Sequence, residues 1–396
     1  MNVINPAADF GVMWPKATNA IPKEVFTRAD IFEEELKRIF YGPEWHPVAH
    51  SGEIPNNGDF KTFFVGKVPL IINRGMDGEI RVFFNACAHR GNQLETAGAG
   101  NKTEFECPYH RWLFSEKGEL IGCPAESEFT PGFSRKDFPL AQPRMEIFKG
   151  LIFVTFSDQT KDLNSFLDGC NDTLADALGG DGRLNLLGYQ KVRYATNWKA
   201  YNDNDGYHGA LLHTAFRMLN WQGGKGRQYA TRERGHTCIE GALTVPTASI
   251  LKDLSVIEFH GNETTAGSRV VELFPTFVIT KHLDSISLRF AVVHSVDEVE
   301  VHYAYFSHQD DSPELARHRL RQSSNLLGPC GLVSMEDASV FHRIHIGNHT
   351  PGNVVFQKGV KTVSGLDYEV GQTDETGNVP RWEYYRRVMG FARQAI

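Results

Sequence analysis

No apolar run in these 396 residues reaches the length of a membrane span. The opening stretch MNVINPAADFGVMWPKATNA lacks the basic n-region and apolar h-region of an export signal, so the expected location is cytoplasmic. Positive charge is not in excess: 41 Lys and Arg stand against 48 Asp and Glu, for a formal net charge of −7. That balance offers no footprint for nucleic acid or an anionic membrane. Cysteine is scarce. The six residues Cys87, Cys107, Cys123, Cys170, Cys238 and Cys330 are too scattered to read as a disulfide framework. Internal repeats and low-complexity segments are also missing. What remains is an ordinary globular composition, 41% hydrophobic with 27 Phe, in a chain long enough for two domains and suited to apolar pockets.

The texture changes once along the chain. Residues 60–157 read as short strands separated by turns: FKTFFVGKVPLIINR, a turn at Met76-Asp77-Gly78, IRVFFNACA, a hairpin WLFSEKGELIG turning at Lys117-Gly118, and GLIFVTFS. Beyond Ser157 the spacing predicts a helix capped by Asp162, then strands at 187–195, 236–250, 268–281, 285–295 and 298–306. Pro313 opens a helix through Leu327, another begins near Val333, and RWEYYRRVMGFARQAI forms the last. TRADIFEEELKRIF adds an early helix. The expectation is an α+β chain in which a small all-β domain (44–157) is inserted in a larger domain (158–396) of antiparallel sheet and flanking helices, with an N-terminal segment (1–43) packing on the larger part.

Within the small domain, Cys87 and His89 form C-x-H, and after seventeen residues Cys107 and His110 form C-x-x-H. Structural zinc commonly pairs cysteine with cysteine and histidine with histidine. The alternating order gives each loop one thiolate and one imidazole. That suits a [2Fe–2S] cluster with two cysteines on one iron and two histidines on the other.

CAHRG and CPYHRW followed by G-x-L-x-x-x-P resemble the Rieske domains of aromatic-ring-hydroxylating oxygenases. High-potential Rieske proteins carry an additional cysteine in each loop; here those places hold Asn92 and Tyr109, which implies a lower-potential cluster fed by a soluble reductase. A second stretch, NWKAYNDNDGYHGALLH, resembles the mononuclear-iron motif of the same family and implies His208 and His213 as ligands. The two are five residues apart, about 140° around an ideal helix, so an irregular turn is expected between them. Non-haem Fe(II) oxygenases complete such a pair with one carboxylate. GPCGLVSMEDASVF resembles the later family motif and implies Asp337, with Glu336 as its competitor.

The resemblance spans roughly residues 20–395, and SMED with YH-x-x-LLH looks most like large subunits acting on terephthalate, salicylate and similar aromatic acids. One departure stands out. The family pattern E-N-x-x-D-x-Y-H appears here as Asp203-Asn204-Asp205-Gly206-Tyr207-His208, two residues shorter and with Asp for Glu. The resemblance implies that Asp205 connects the cluster of one subunit to the mononuclear iron of its neighbour. It further implies a catalytic large subunit of the helix-grip type that hydroxylates an aromatic substrate with O₂. Its partners would be a flavin-containing reductase, with or without a ferredoxin, and its assembly a homotrimer, with or without a small β-subunit as α₃β₃. Arg217 or Arg289 is the candidate cation for a substrate carboxylate. Three rivals stand against this reading: an O- or N-demethylating Rieske monooxygenase, an iron–sulfur electron carrier without chemistry of its own, and a zinc protein.

Overall fold

The computed structural model describes residues 10–204, 213–219, 223–231, 233–243, 251–261, 267–364, 371 and 374–394. The chain divides into two compact units, Tyr41–Thr160 and the combination of Met1–Phe40 with Lys161–Ile396. Among the described residues, no helix is long and apolar enough to cross a membrane.

The smaller unit is built of three antiparallel sheets. One has the order Ile80–Phe84, Val68–Arg74, Asp59–Val65, Ala99–Asn101; the second runs Glu104–Glu106, Leu113–Ser115, Leu120–Gly122; the third runs Arg144–Phe148, Leu151–Thr155, His46–His50. The turn at Lys117-Gly118 closes with Ser115 N–H donating to Glu119 O and Gly118 N–H donating to Ser115 O, both at 2.9 Å. Gly118 sits at φ 82°, and a Cβ there would meet Phe83 Cε1 at 2.5 Å, so the tight turn and the packing both need glycine. Phe60, Ile71, Phe83, Phe105, Trp112 and Phe114 fill the core between the sheets. The Lys61 ammonium is buried on the Glu53 carboxylate at 2.7 Å, a charge that the interior accepts because it is paired.

In the larger unit a short strand, Ala20–Pro22, and one helical turn, Glu24–Thr27, precede helix α1 (Ala29–Glu35), which continues as a wider π turn, Leu36–Phe40. The backbone at Arg28 is extended (ψ 122°), so the single helix expected over 27–40 starts later. The helix expected after Asp162 is also shorter. Asp162 does cap it, accepting from Ser165 N–H at 2.9 Å, but the turn Leu163–Leu167 ends at Asp168 and Gly169, both at positive φ. Helix α2 (Asn171–Ala177) resumes afterwards. Then come β1 (Leu184–Tyr194), α3 (Trp198–Asn202), α4 (Thr214–Met218), β2 (Gly223–Ala230), β3 (Thr237–Leu243), β4 (Gly267–Leu273), β5 (Phe277–His282), β6 (Ser285–Ser295) and β7 (Glu298–His308). The run expected over 268–281 is two strands, broken around Pro275, which has no N–H to give a ladder. β2, too glycine-rich to read as a strand, was not expected. Residues 244–250 of the expected third strand lie outside the described residues.

These strands form one antiparallel sheet in the order β1-β7-β6-β5-β4-β3-β2. α5 (Pro313–Gln322) starts with Ser312 Oγ accepting from Leu315 N–H and passes into a π turn, Ser323–Leu327. α6 (Ser334–Asn348) follows. α7 (Asn378–Met389) starts three residues before the expected position and stops before Gly390. Cross-strand partners share a face, so the register puts Tyr194 and Gln190 of β1, Tyr303 of β7 and Arg289 of β6 on one face of the sheet. α6 covers that face, with Phe341 5.0 Å edge-on to Tyr194. α2 covers the other, through Asp176 on Arg269 (2.6 Å) and Thr173 on Glu240.

Candidate metal centres

The two cysteine–histidine loops of the small unit have the same backbone plan. In the first, Cys87 N–H donates to Asn92 O and Gly91 N–H donates to Cys87 O, both at 2.8 Å. In the second, Cys107 N–H donates to Trp112 O at 2.8 Å and Arg111 N–H to Cys107 O at 2.9 Å. Each loop therefore closes from its cysteine to the residues four and five further on. The fourth residue is left-handed in both, Gly91 at φ 71° and Arg111 at φ 61°. Asn85 stitches the first loop: its Oδ1 accepts from Leu94 and Glu95 N–H, and its Nδ2 donates to Glu95 O.

This plan turns both thiols inward and both imidazoles outward. Cys87 and Cys107 are 3% and 2% exposed, whereas His89 is exposed and His110 half-buried. Burial pushes the Cys87 thiol up, and its contact with Cys107 adds to the rise. The His89 and His110 rings stand 4.6 Å apart. His89 stacks on Trp112 at 4.9 Å, and Trp112 is wedged among Phe129, Phe133 and Phe138, so one ligand orientation is set by the aromatic core. Nδ1 of His110 is buried without a hydrogen bond among the described residues. An orphaned imidazole nitrogen beside two buried thiols is costly unless a metal takes the lone pairs, so these four side chains fit a [2Fe–2S] group. Tyr109, at the place of one absent cysteine, reaches across to Arg90, whose Nη1 donates to its hydroxyl at 3.3 Å.

In the larger unit, His213 is extended backbone (φ −64°, ψ 151°) and is the N-cap of α4, so no regular helix runs through it. Asp205 and His208 lie outside the described residues. His213 Nδ1 stands 3.1 Å from Asp337 Oδ1. Two atoms each about 2.1 Å from one ion, at roughly a right angle, are about 3.0 Å apart, so this spacing fits two adjacent ligands. The Asp337 hydrogen bond, working against burial, holds His213 above the usual imidazole range. Glu336 faces elsewhere: its carboxylate accepts from Thr214 N–H at 2.9 Å and Ala215 N–H at 3.0 Å. Of the two acids left open by the sequence, Asp337 is therefore the one beside a histidine.

Side chains of α7 hold the other end of this region. Arg381 Nη1 donates to Asn202 O at 2.7 Å, Asn378 Nδ2 to Asp203 O and Trp382 Nε1 to Asp203 Oδ1, both at 3.1 Å. The first two satisfy carbonyls that the end of α3 leaves open, and the third holds the Asp203 carboxyl. No short-range pattern announces them, since the partners are more than 170 residues apart. Arg217 is exposed on α4, whereas Arg289 is buried, its guanidinium 5.1 Å above the Tyr303 ring. Among the described residues, no three His, Cys, Asp or Glu converge on a single ion. A [2Fe–2S] group asks for only two ligands at each iron, and one of the three residues expected at the second centre, His208, is not described.

Comparison with known proteins agrees with this division. Residues 44–143 match the Rieske [2Fe-2S] domain, and residues 182–381 match the catalytic domain of the ring hydroxylating alpha subunit. The chain is 30% identical to the anthranilate 1,2-dioxygenase large subunit of Burkholderia cepacia over 94% of its own length and 93% of that protein. It is 29% identical to the alpha 2 subunit of the terephthalate 1,2-dioxygenase terminal oxygenase component of Comamonas sp, covering 97% and 99%. It is 30% identical to the large oxygenase component of salicylate 5-hydroxylase of Ralstonia sp, covering 95% and 96%. In fold it resembles naphthalene 1,2-dioxygenase from Rhodococcus sp., with a TM-score of 0.81 at 24% identity over 94% of each chain.

Proposed function

The chain belongs to the alpha subunits of the Rieske ring-hydroxylating oxygenases, and on that premise we propose that its substrate is an aromatic carboxylic acid held by Arg289. When bound, the cluster supplies electrons one at a time and the mononuclear iron supplies the site where dioxygen is reduced. Cys87, His89, Cys107 and His110 hold the first group in this reading, and His208, His213 and Asp337 the second.

The observation that carries the substrate class is a buried cation on the face covered by the helix that bears Asp337. Arg289 is 7% exposed and shares that face with Tyr303, Gln190 and Tyr194. A carboxylate there gains a charge-assisted pair in a site with little water. Tyr303 and Tyr194, whose hydroxyls are 3.2 Å apart, line the same face with aromatic side chains. Nearby His282 is neutral: burial drives its pKa down to about 3, with Arg289's charge adding to the drop, so it offers the anion no second cation. Three relatives named for aromatic acids, anthranilate, terephthalate and salicylate, are consistent with the same class.

The electron donor in this reading is a soluble flavin reductase, with or without a ferredoxin; the assembly is a homotrimer, with or without β-subunits, working in the cytoplasm. Purified protein with a surrogate reductase, offered a panel of aromatic acids and their neutral amides, tests the proposal by product mass. Arg289→Met should raise KM for the acids about 30-fold or more, as expected when a buried charge pair loses about 2 kcal/mol, and leave any neutral substrate unaffected. Oxidation of neutral aromatics only, or demethylated products in place of hydroxylated ones, overturns it.

A further inference from the structure

We propose that Glu336 is the positioning residue of the mononuclear iron site, holding the backbone behind His213 so that its imidazole faces Asp337. The inference rests on the functional reading above.

α4 has only five residues, too few to hold its own conformation. Its first N–H groups have no partner within the helix, and the side chain of its N-cap, His213, does not cap them. The carboxylate of Glu336 takes both Thr214 N–H and Ala215 N–H, at 2.9 and 3.0 Å, across 121 residues or more of sequence. Those are the two peptide groups immediately after the histidine. Asp337, the next residue on α6, meets the ring of the same histidine at 3.1 Å. Neighbouring helical residues point about 100° apart, so two adjacent acids do not address one atom. Here they divide the work: one seats the peptide, the other faces the imidazole. His213 is thereby oriented from both sides by one turn of α6.

Supporting carboxylates of this kind typically change metal affinity about 10- to 100-fold when removed. Glu336→Ala, Glu336→Gln and Asp337→Ala proteins are purified with the cluster intact, dialysed against a weak chelator, and assayed for iron per chain. Wild type should keep three irons, two of them in the cluster. Glu336→Ala should fall toward two, with its cluster absorption unchanged. Excess Fe(II) should then restore both the wild-type EPR signal of the iron–nitric oxide adduct and kcat, with KM unchanged. Glu336→Gln, which keeps one acceptor oxygen, should fall between, and it serves as the test if Glu336→Ala loses its cluster colour and so has misfolded. Asp337→Ala should not recover at any Fe(II) concentration. Three tightly held irons in both Glu336 variants, or a changed nitric oxide signal at saturating iron, overturns the positioning role. Wild type with only two irons, or an unimpaired Asp337→Ala, overturns the functional reading itself.

Discussion

Glu35→Gln should destabilise the larger unit severely, and Lys199→Met in the same chain should repair most of the damage. Glu35 is fully buried on α1, and its carboxylate accepts from Lys199 Nζ at 2.6 Å, Trp198 Nε1 at 2.8 Å and the Tyr385 hydroxyl. Lys199 is equally deep; burial pushes its ammonium down and the carboxylate is what holds it up. At this separation and an effective dielectric of about 20, the attraction is about 6 kcal/mol, much of it offset by desolvating both groups. Gln keeps one acceptor oxygen, enough for Trp198 or for Tyr385 but not both, since they bond to different oxygens of the carboxylate. It also leaves the Lys199 charge alone, which costs about 3–5 kcal/mol. At about 2 °C per kcal/mol for a unit of this size, the thermal midpoint should fall about 6–10 °C. The deficit should shrink as pH rises, because Lys199 then sheds the proton that the interior cannot accommodate. The assay is far-UV circular dichroism on four proteins, wild type, both single variants and the double, at one scan rate. The coupling should recover at least 2 kcal/mol in the double variant. Strict additivity would refute the argument, since it would mean that the two charges do not depend on each other.

Three further outcomes are expected. Cys107→Ser should abolish the visible absorption and the rhombic EPR signal, because on the proposed reading the buried thiol pair is the inner half of the cluster seat; an intact red-brown spectrum contradicts this. Asp205→Asn should keep the cluster and most of the third iron yet lose nearly all turnover, with the cluster staying reduced after substrate and oxygen are added; normal reoxidation rules out its connecting role. Asp203→Asn should become more stable than wild type as pH rises. Burial raises the Asp203 carboxyl from 3.8 to about 7 despite the Trp382 N–H, so the wild type is fully favoured only below pH 3.8 and loses stability up to pH 7. A shift of that size corresponds to about 4 kcal/mol, which the residue's remaining exposure reduces to about 2 kcal/mol. A midpoint difference between Asp203→Asn and wild type that is flat from pH 5 to pH 8 contradicts the shift.

The candidate cluster residues could be named from the sequence because they lie in short spacings. Cys87, His89, Cys107 and His110 sit within two tight loops whose closure depends on the residues four and five further on, all local in sequence. Strands β6 and β7 were read nearly to their ends, since each is a long run with clear boundaries. The errors came where local signals conflict with packing. Residues 163–177 have helical periodicity, but Asp168-Gly169 breaks the helix in two. Gly223–Ala230 has little strand propensity and becomes an edge strand only because Thr237–Leu243 offers it a ladder.

Alternating cysteine and histidine at fixed spacing thus pointed to a two-iron cluster, because its donor atoms lie close along the chain, whereas the second iron was legible only through the resemblance of NWKAYNDNDGYHGALLH and GPCGLVSMEDASVF to a family motif. Tertiary structure decided the rest. It placed Asp337 against the His213 ring and Glu336 against the Thr214 peptide, since only packing α6 beside α4 decides which acid meets the imidazole. It buried Arg289 and left Arg217 in solvent, a distinction that two arginines in a string cannot express. It also brought Glu35 to Lys199 and Arg381 to Asn202, across more than 160 residues each. Such pairs leave no periodic trace, because a buried charge is stabilised by its position in space and not by its neighbours along the chain.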